Sequence, residues 1–138
     1  MTHLFVDTNI VIDLLEKRPE YAPAAALFTL SDRGEVVLHI SALSFANISY
    51  ILRKKLGKQG VAKVLRDLAL IVSVSDLTAK TVQLALNDDD FSDFEDGLQY
   101  YSALEVGASM IITRNLNDFS AASIPVLTAA QYLETRGQ

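Results

Sequence analysis

Three short stretches of the chain carry side chains that could do chemistry together. The run His3-Leu4-Phe5-Val6 ends in Asp7; Asp93 and Asp96 stand three residues apart; Asn115 and Asp118 fall within Thr113-Arg114-Asn115-Leu116-Asn117-Asp118-Phe119. Each acid taken singly has an ordinary alternative role, because carboxylates cap helix N-termini and gain ~0.3–1 kcal/mol there. Taken together, acids from three distant segments repel one another unless a cation holds them. Hard oxygen donors with room for water suit Mg²⁺ or Mn²⁺. That chemistry serves phosphodiester hydrolysis, in which a metal lowers the pKa of a water and stabilises the leaving oxygen.

Whether the acids can meet depends on the elements that carry them. Residues 3–7 read as a strand, with Thr8 able to cap a helix that begins near Ile10 and closes at Lys17-Arg18-Pro19. A second helix is expected from Ala22 to Arg33, with Gly34 as its stop. Val36–Ile40 is a compact apolar strand. Ser41 caps a helix that Gly57 ends, and Gly60 precedes another over Val61–Ala69. The third strand is expected at Leu70–Val74, and Ser75 or Asp76 caps the helix after it. Asp93–Val106 forms a further helix terminated by Gly107. Ser109–Thr113 is a fourth strand, residues 114–119 are the loop at its carboxyl end, and Pro125–Leu127 is a short fifth strand. Thr128 opens the final helix.

Strands alternating with helices give a parallel sheet covered on both faces. The expectation is a single domain over residues 1–138: a three-layer α/β/α sandwich with a central parallel sheet of four to five strands. Right-handed crossovers put the strand carboxyl ends along one edge, and in open α/β sheets ligands sit there. Asp7 and the loop after the fourth strand share that edge.

Composition narrows the function classes. With no cysteine among 138 residues, disulfides, thiolate zinc sites and a cysteine nucleophile are excluded. No stretch approaches the ~20 apolar residues of a membrane span, and the N-terminus lacks the pattern of a signal peptide. A soluble, cytoplasmic protein without a membrane partner is expected. The net charge of −5 argues against binding nucleic acid by bulk charge. The charge is nevertheless polarised, with Arg53, Lys54, Lys55, Lys58, Lys63 and Arg66 in one segment and a run of acids over Asp88–Asp96 in another. Arg53, Lys54 and Lys55 could track an RNA backbone; a solvated helix face is the ordinary alternative. Arg114, beside the acids, offers a planar donor fork suited to phosphate. Tyr100 and Tyr101 read as packing residues, and His3 and His39 as structural ones. No glycine-rich phosphate loop supports a phosphoacceptor reading of Asp7.

Four motifs in order resemble the PIN domain family, the nuclease fold of VapC-type toxins. They are Phe5-Val6-Asp7-Thr8-Asn9, Ile40-Ser41-Ala42-Leu43-Ser44, Asp93-Phe94-Glu95-Asp96-Gly97-Leu98-Gln99, and the stretch from Gly107 to Phe119. The resemblance implies a metal-dependent endoribonuclease using Mg²⁺ or Mn²⁺, with Asp7, Asp96 and Asp118 as metal ligands. It makes Asp93 and Asn115 supporting members of the catalytic set, and it implies an RNA substrate, a protein antitoxin and a homodimer; no other cofactor is implied. One position departs from the pattern. Where the family usually carries a glutamate in the helix after the second strand, this chain has Asn47. An amide oxygen can ligate a metal or hold a water but adds no charge, so weaker metal affinity is expected. The alternative to an active toxin is therefore a PIN-fold RNA-binding or regulatory module with weakened catalysis.

Overall fold

A computed structural model describes residues 1–137. Five parallel strands, β1 (Thr2–Val6), β2 (Val36–Ser41), β3 (Ser73–Ser75), β4 (Met110–Ile112) and β5 (Val126–Leu127), form one sheet in the order β3-β2-β1-β4-β5. Among the described residues six α-helices accompany them, α1 (Thr8–Leu15), α2 (Tyr21–Asp32), α3 (Ala42–Ile71), α4 (Ala79–Leu86), α5 (Phe94–Glu105) and α6 (Ala129–Arg136), together with a 3-10 turn at Leu116–Phe119 that carries Asp118. The three-layer parallel architecture expected from the sequence is the one observed.

Alternation along β1 shows why the sheet is covered twice. Leu4 and Val6 point into a cluster with Val11 of α1, Leu27 of α2 and Ile48 of α3, while Phe5 points the other way, toward Tyr100 and Ala103 of α5. A strand with apolar residues on both faces must be buried on both. Leu4, Phe5 and Val6 are all inaccessible to solvent.

The order of strands creates the crevice. The chain moves from β1 outward to β2 and β3, then returns across the sheet to lay β4 on the other side of β1. Crossovers therefore leave the β1/β4 junction in opposite directions, which opens a gap outside their carboxyl ends. The register Val6↔Ile112 places Asp7 and Thr113 side by side at that gap. The Asp7 amide donates to the Ile112 carbonyl at 3.0 Å, so the pairing continues one residue past the strand.

Several boundaries differ from the sequence expectation. Asp7, not Thr8, is the N-cap of α1; its carboxylate accepts from the Thr8 amide, and the Thr8 hydroxyl turns instead to Ser44 at 2.7 Å. Both residue types cap well, and the strand's end decides between them. Gly57 does interrupt α3, with φ 70° and ψ 172°. The helix resumes at once, however, so Gly60 lies inside it rather than before it. A side chain at Gly60 would stand 3.0 Å from the Leu56 Cβ, so its absence lets the two halves of α3 approach. Helix α3 runs on through Leu70 and Ile71, both good enough helix formers to delay the strand. Only Ser73–Ser75 reaches β2, with Ser41 opposite Ser75. Thr78, through a capping box with Thr81, starts α4 in place of Ser75 or Asp76. Among the described residues, no helix is long and apolar enough to cross a membrane.

Candidate active site

Outside the carboxyl ends of β1 and β4 lies an open cleft of about 440 Å³. Asp7 enters it from the end of β1, Asn47 from α3, Glu95 and Asp96 from the first turn of α5, and Asn115 and Asp118 from the loop after β4. Residues as far as 111 positions apart in sequence thus share one concave surface.

Asp7 is the most constrained of them. Its Oδ2 accepts from the Thr113 hydroxyl at 2.8 Å and from Asn9 Nδ2 at 3.3 Å; its Oδ1 accepts from the Thr8 amide at 2.8 Å and faces Gln99 Nε2 at 3.5 Å. Burial pushes the Asp7 carboxyl above its ordinary value, while the bonds from Thr113, Thr8 and Gln99 oppose the rise. Donors on both oxygens fix the carboxylate's direction, which a ligand at an edge of a sheet requires.

Behind Asp7 stands a buried polar pillar. Gln99 of α5 accepts from the Ser41 hydroxyl at 2.6 Å and donates to Ser44 Oγ at 2.9 Å, and Ser44 joins Thr8. These hydrogen bonds tie the end of β2 and the starts of α3 and α1 to the middle of α5. A fully partnered buried network holds its members in one arrangement, and loss of a member leaves the others desolvated. On the other flank, Asn9 Oδ1 accepts from the Arg114 amide at 3.1 Å, and the Thr113 hydroxyl accepts from the Asn115 amide at 3.1 Å. These bonds set the course of the loop that carries Asp118.

Asp96 reports the electrostatics of the cleft. Its carboxyl is pushed up to about 7, first by burial and then by the negative charges of Asp118, Asp93, Asp7 and Glu95. Burial and the four neighbouring carboxylates leave it only about half ionised at neutral pH. Added positive charge favours the ionised form. Among the described residues, no three His, Cys, Asp or Glu side chains already close on a common point as a finished ion cage. The donor set still fits a hard divalent cation: every donor is oxygen, the acids repel one another, and the open cleft leaves space for coordinated water.

Arg114 has a second task. Its Nη1 stands 3.2 Å from Oδ1 of Asp13, a side chain with no solvent exposure. Burial raises the Asp13 carboxyl, against the pull of Arg114 and Arg18. The guanidinium therefore serves as counter-ion to a buried acid while it lines the cleft.

Of the residues singled out from the sequence, the fold gathers Asp7, Asp96, Asp118, Asn115, Asn47 and Arg114 around the cleft. Asp93 does not line it; its carboxylate caps α5 by accepting from the Glu95 amide at 2.8 Å. Arg53 sits beside the rim, its guanidinium 5.2 Å from the ring centre of Tyr50. Lys54 and Lys55 are exposed on α3 and do not line the cleft. Tyr100 packs on Phe91 with ring centres 5.0 Å apart, as a core residue. Sequence reasoning passed over Gln99, Ser44, Thr113 and Glu95 as working residues. A glutamine placed between the buried Leu98 and Tyr100 was the available signal for the first.

The comparisons with known proteins agree with this fold. The sequence profile described as PIN domain matches residues 3–117. Ribonuclease VapC1 of Aquifex aeolicus (strain VF5) is 26% identical over 141 residues, covering 95% of this chain and 93% of that protein. The crystal structure of VapBC-1 from nontypeable Haemophilus influenzae superposes with a TM-score of 0.71 at 16% identity, over 94% of this chain and 99% of that one. Mycobacterium tuberculosis VapC20, described as a sarcin-ricin loop cleaving toxin, gives a TM-score of 0.65 at 20% identity, over 88% and 95%. The chain belongs to the PIN domain family.

Proposed function

We infer that this protein is a divalent-metal-dependent endoribonuclease of the VapC kind, acting as the toxin of a type II toxin–antitoxin pair. The observation that carries the reading is the crowding of Asp7, Asp96, Asp118 and Glu95 at the β1/β4 junction, strong enough to push the Asp96 carboxyl to about 7. The relatives described as a ribonuclease and as a sarcin-ricin loop cleaving toxin support it.

Asp7, Asp96 and Asp118 would hold Mg²⁺ or Mn²⁺, with Asn115 supplying a neutral amide oxygen and Asn47 standing on the cleft wall beside Glu95. When bound, the cation supplies positive charge that lowers the pKa of a water and stabilises the departing oxyanion. The protein's own residues do the rest. Asp7, locked by donors on both oxygens, defines the position of the site. Asp96 gives up its proton as the site fills, because its ionised form is then the favoured one. Arg114, held by Asp13 at the cleft wall, presents donors to the scissile phosphate, and Arg53, Lys54 and Lys55 extend a basic track along α3 for the RNA backbone. In hydrolysis the water oxygen bonds to phosphorus, the bond to the leaving ribose oxygen breaks, and that oxygen takes up a proton. A protein antitoxin, a homodimeric assembly and a cytoplasmic location belong to the same proposal.

Incubation of the purified protein with single-stranded and structured RNAs tests it. Cleavage is expected with Mg²⁺ or Mn²⁺ and not with EDTA, and Asp7→Asn is expected to abolish it. Cleavage that survives Asp7→Asn sinks the site. A second reading, a PIN-fold RNA-binding or regulatory module with weak catalysis, draws on the uncharged Asn47 and on the open arrangement of the acids. RNA binding without cleavage at millimolar Mn²⁺ would select it.

A further inference from the structure

Asn47 is not isolated on the cleft wall. Its Nδ2 donates to Oε1 of Glu95 at 2.6 Å, joining α3 to the first turn of α5. Both side chains line the same cleft as Asp7, Asp96 and Asp118. A carboxylate only accepts hydrogen bonds and an amide nitrogen only donates, so the pair has one sense. Glu95 Oε1 is occupied by Asn47, which leaves Oε2 for another partner. Its charge is felt in the cleft, since it contributes to the raised Asp96 carboxyl. Asp93 sets Glu95 from the other side, through the cap on its backbone amide.

We propose that Glu95 is the fourth acid of this cleft and that Asn47 is the residue that positions it. The charge absent from α3 is delivered from α5, one residue before Asp96, and Asn47 is matched to it. A glutamate at position 47 would place two carboxylates at hydrogen-bonding distance, where like charges repel. An amide there turns the repulsion into a bond. Asn47 thus acts through Glu95, whose free oxygen would be the one available to the cation. This rests on the metal-cleft reading above and specifies which residues complete it.

Mn²⁺ alone is the probe, titrated into the full-length protein and followed by calorimetry and by the EPR signal of the free ion, with no RNA present. Loss of a residue that orients or ligates a metal lowers affinity by ~10–100-fold. Glu95→Gln is expected to weaken Mn²⁺ binding about tenfold, and Asn47→Ala by a smaller factor. Asn47→Ala added to Glu95→Gln should then cost nothing more, because the residue it positions has already lost its charge. Both side chains sit at the surface of the cleft, and circular dichroism verifies that the variants fold. Affinity within twofold of the parent in Glu95→Gln overturns the proposal, as does an Asn47→Ala loss that persists undiminished in the double variant. Parent protein that takes up no Mn²⁺, or Asp96→Asn protein that binds it as well as the parent, overturns the metal cleft itself. The two failures are therefore distinct.

Discussion

Asp96→Asn should make the metal-free protein more stable at alkaline pH. The carboxyl of Asp96 is raised from 3.8 to about 7 by burial and by four neighbouring acids. Between those values the folded protein holds a proton that the unfolded chain has released. Stability then falls as pH rises through the window, and the penalty is complete above about 7. Three units at 1.36 kcal/mol each would be about 4 kcal/mol. Asp96 is only partly buried and the cleft is open to water, so screening reduces the effect to about 1–2 kcal/mol. The amide is nearly isosteric and carries no charge, so it removes the penalty without opening a cavity. Urea or thermal unfolding in EDTA reads the difference. At pH 8 the variant should gain about 1–2 kcal/mol, or roughly 3–6 °C in Tm; at pH 4.5, near the start of the window, the gain should shrink to about a quarter of that, and it should vanish below 3.8. With Mn²⁺ present the order should reverse, because ligand binding stabilises the parent by RT ln(1 + [L]/Kd) and the variant less. A variant that is no more stable than the parent at pH 8 in EDTA, or a gain independent of pH, refutes the electrostatic account of the cleft.

Other expectations follow from the same contacts. Mn²⁺ binding to the parent should release a proton from Asp96 below about pH 7, so affinity should fall as pH drops and calorimetric heats should vary with the buffer's ionisation enthalpy. Gln99→Leu should cost about 2–3 kcal/mol in urea unfolding, because it removes the acceptor of the buried Ser41 hydroxyl and one of the partners of Ser44. Arg114→Ala should destabilise the fold by about 1–3 kcal/mol at pH 8, since Asp13 loses its nearest counter-ion. That loss should shrink in acid, as the raised Asp13 carboxyl takes up a proton; equal destabilisation at both pH values would show that the ion pair contributes nothing.

The fold was largely legible in the sequence because its signals are local. Val36–Ile40 and Met110–Ile112 are apolar runs bounded by glycine or by capping residues, and a parallel sheet buried on both faces demands such runs. Boundaries were harder where two nearby residues could do one job. Thr8 and Asp7 are both good caps, and only the point at which β1 stops pairing with β4 decides between them. Gly57 was read correctly as a break, but a single left-handed residue reverses the helix path so briefly that Gly60 became helical. The acids at the sheet edge are legible from the alternation of strands and helices, which puts the strand carboxyl ends along one edge. What supports them was not: Gln99 reaches Ser41, Ser44 and Asp7 across 58, 55 and 92 positions of sequence. The Asn47–Glu95 bond is of the same kind. In the sequence Asn47 looks like a vacancy, and only the approach of α3 to α5 shows the carboxylate it faces.

If the acids at the β1/β4 junction hold a catalytic divalent ion, crystals grown in Mn²⁺ and measured at its absorption edge will show it. An anomalous peak is expected in the cleft within ligand distance of Asp7, Asp96 and Asp118, lost in Asp96→Asn crystals. A cleft without a peak at millimolar Mn²⁺, or manganese bound only elsewhere on the surface, would contradict it.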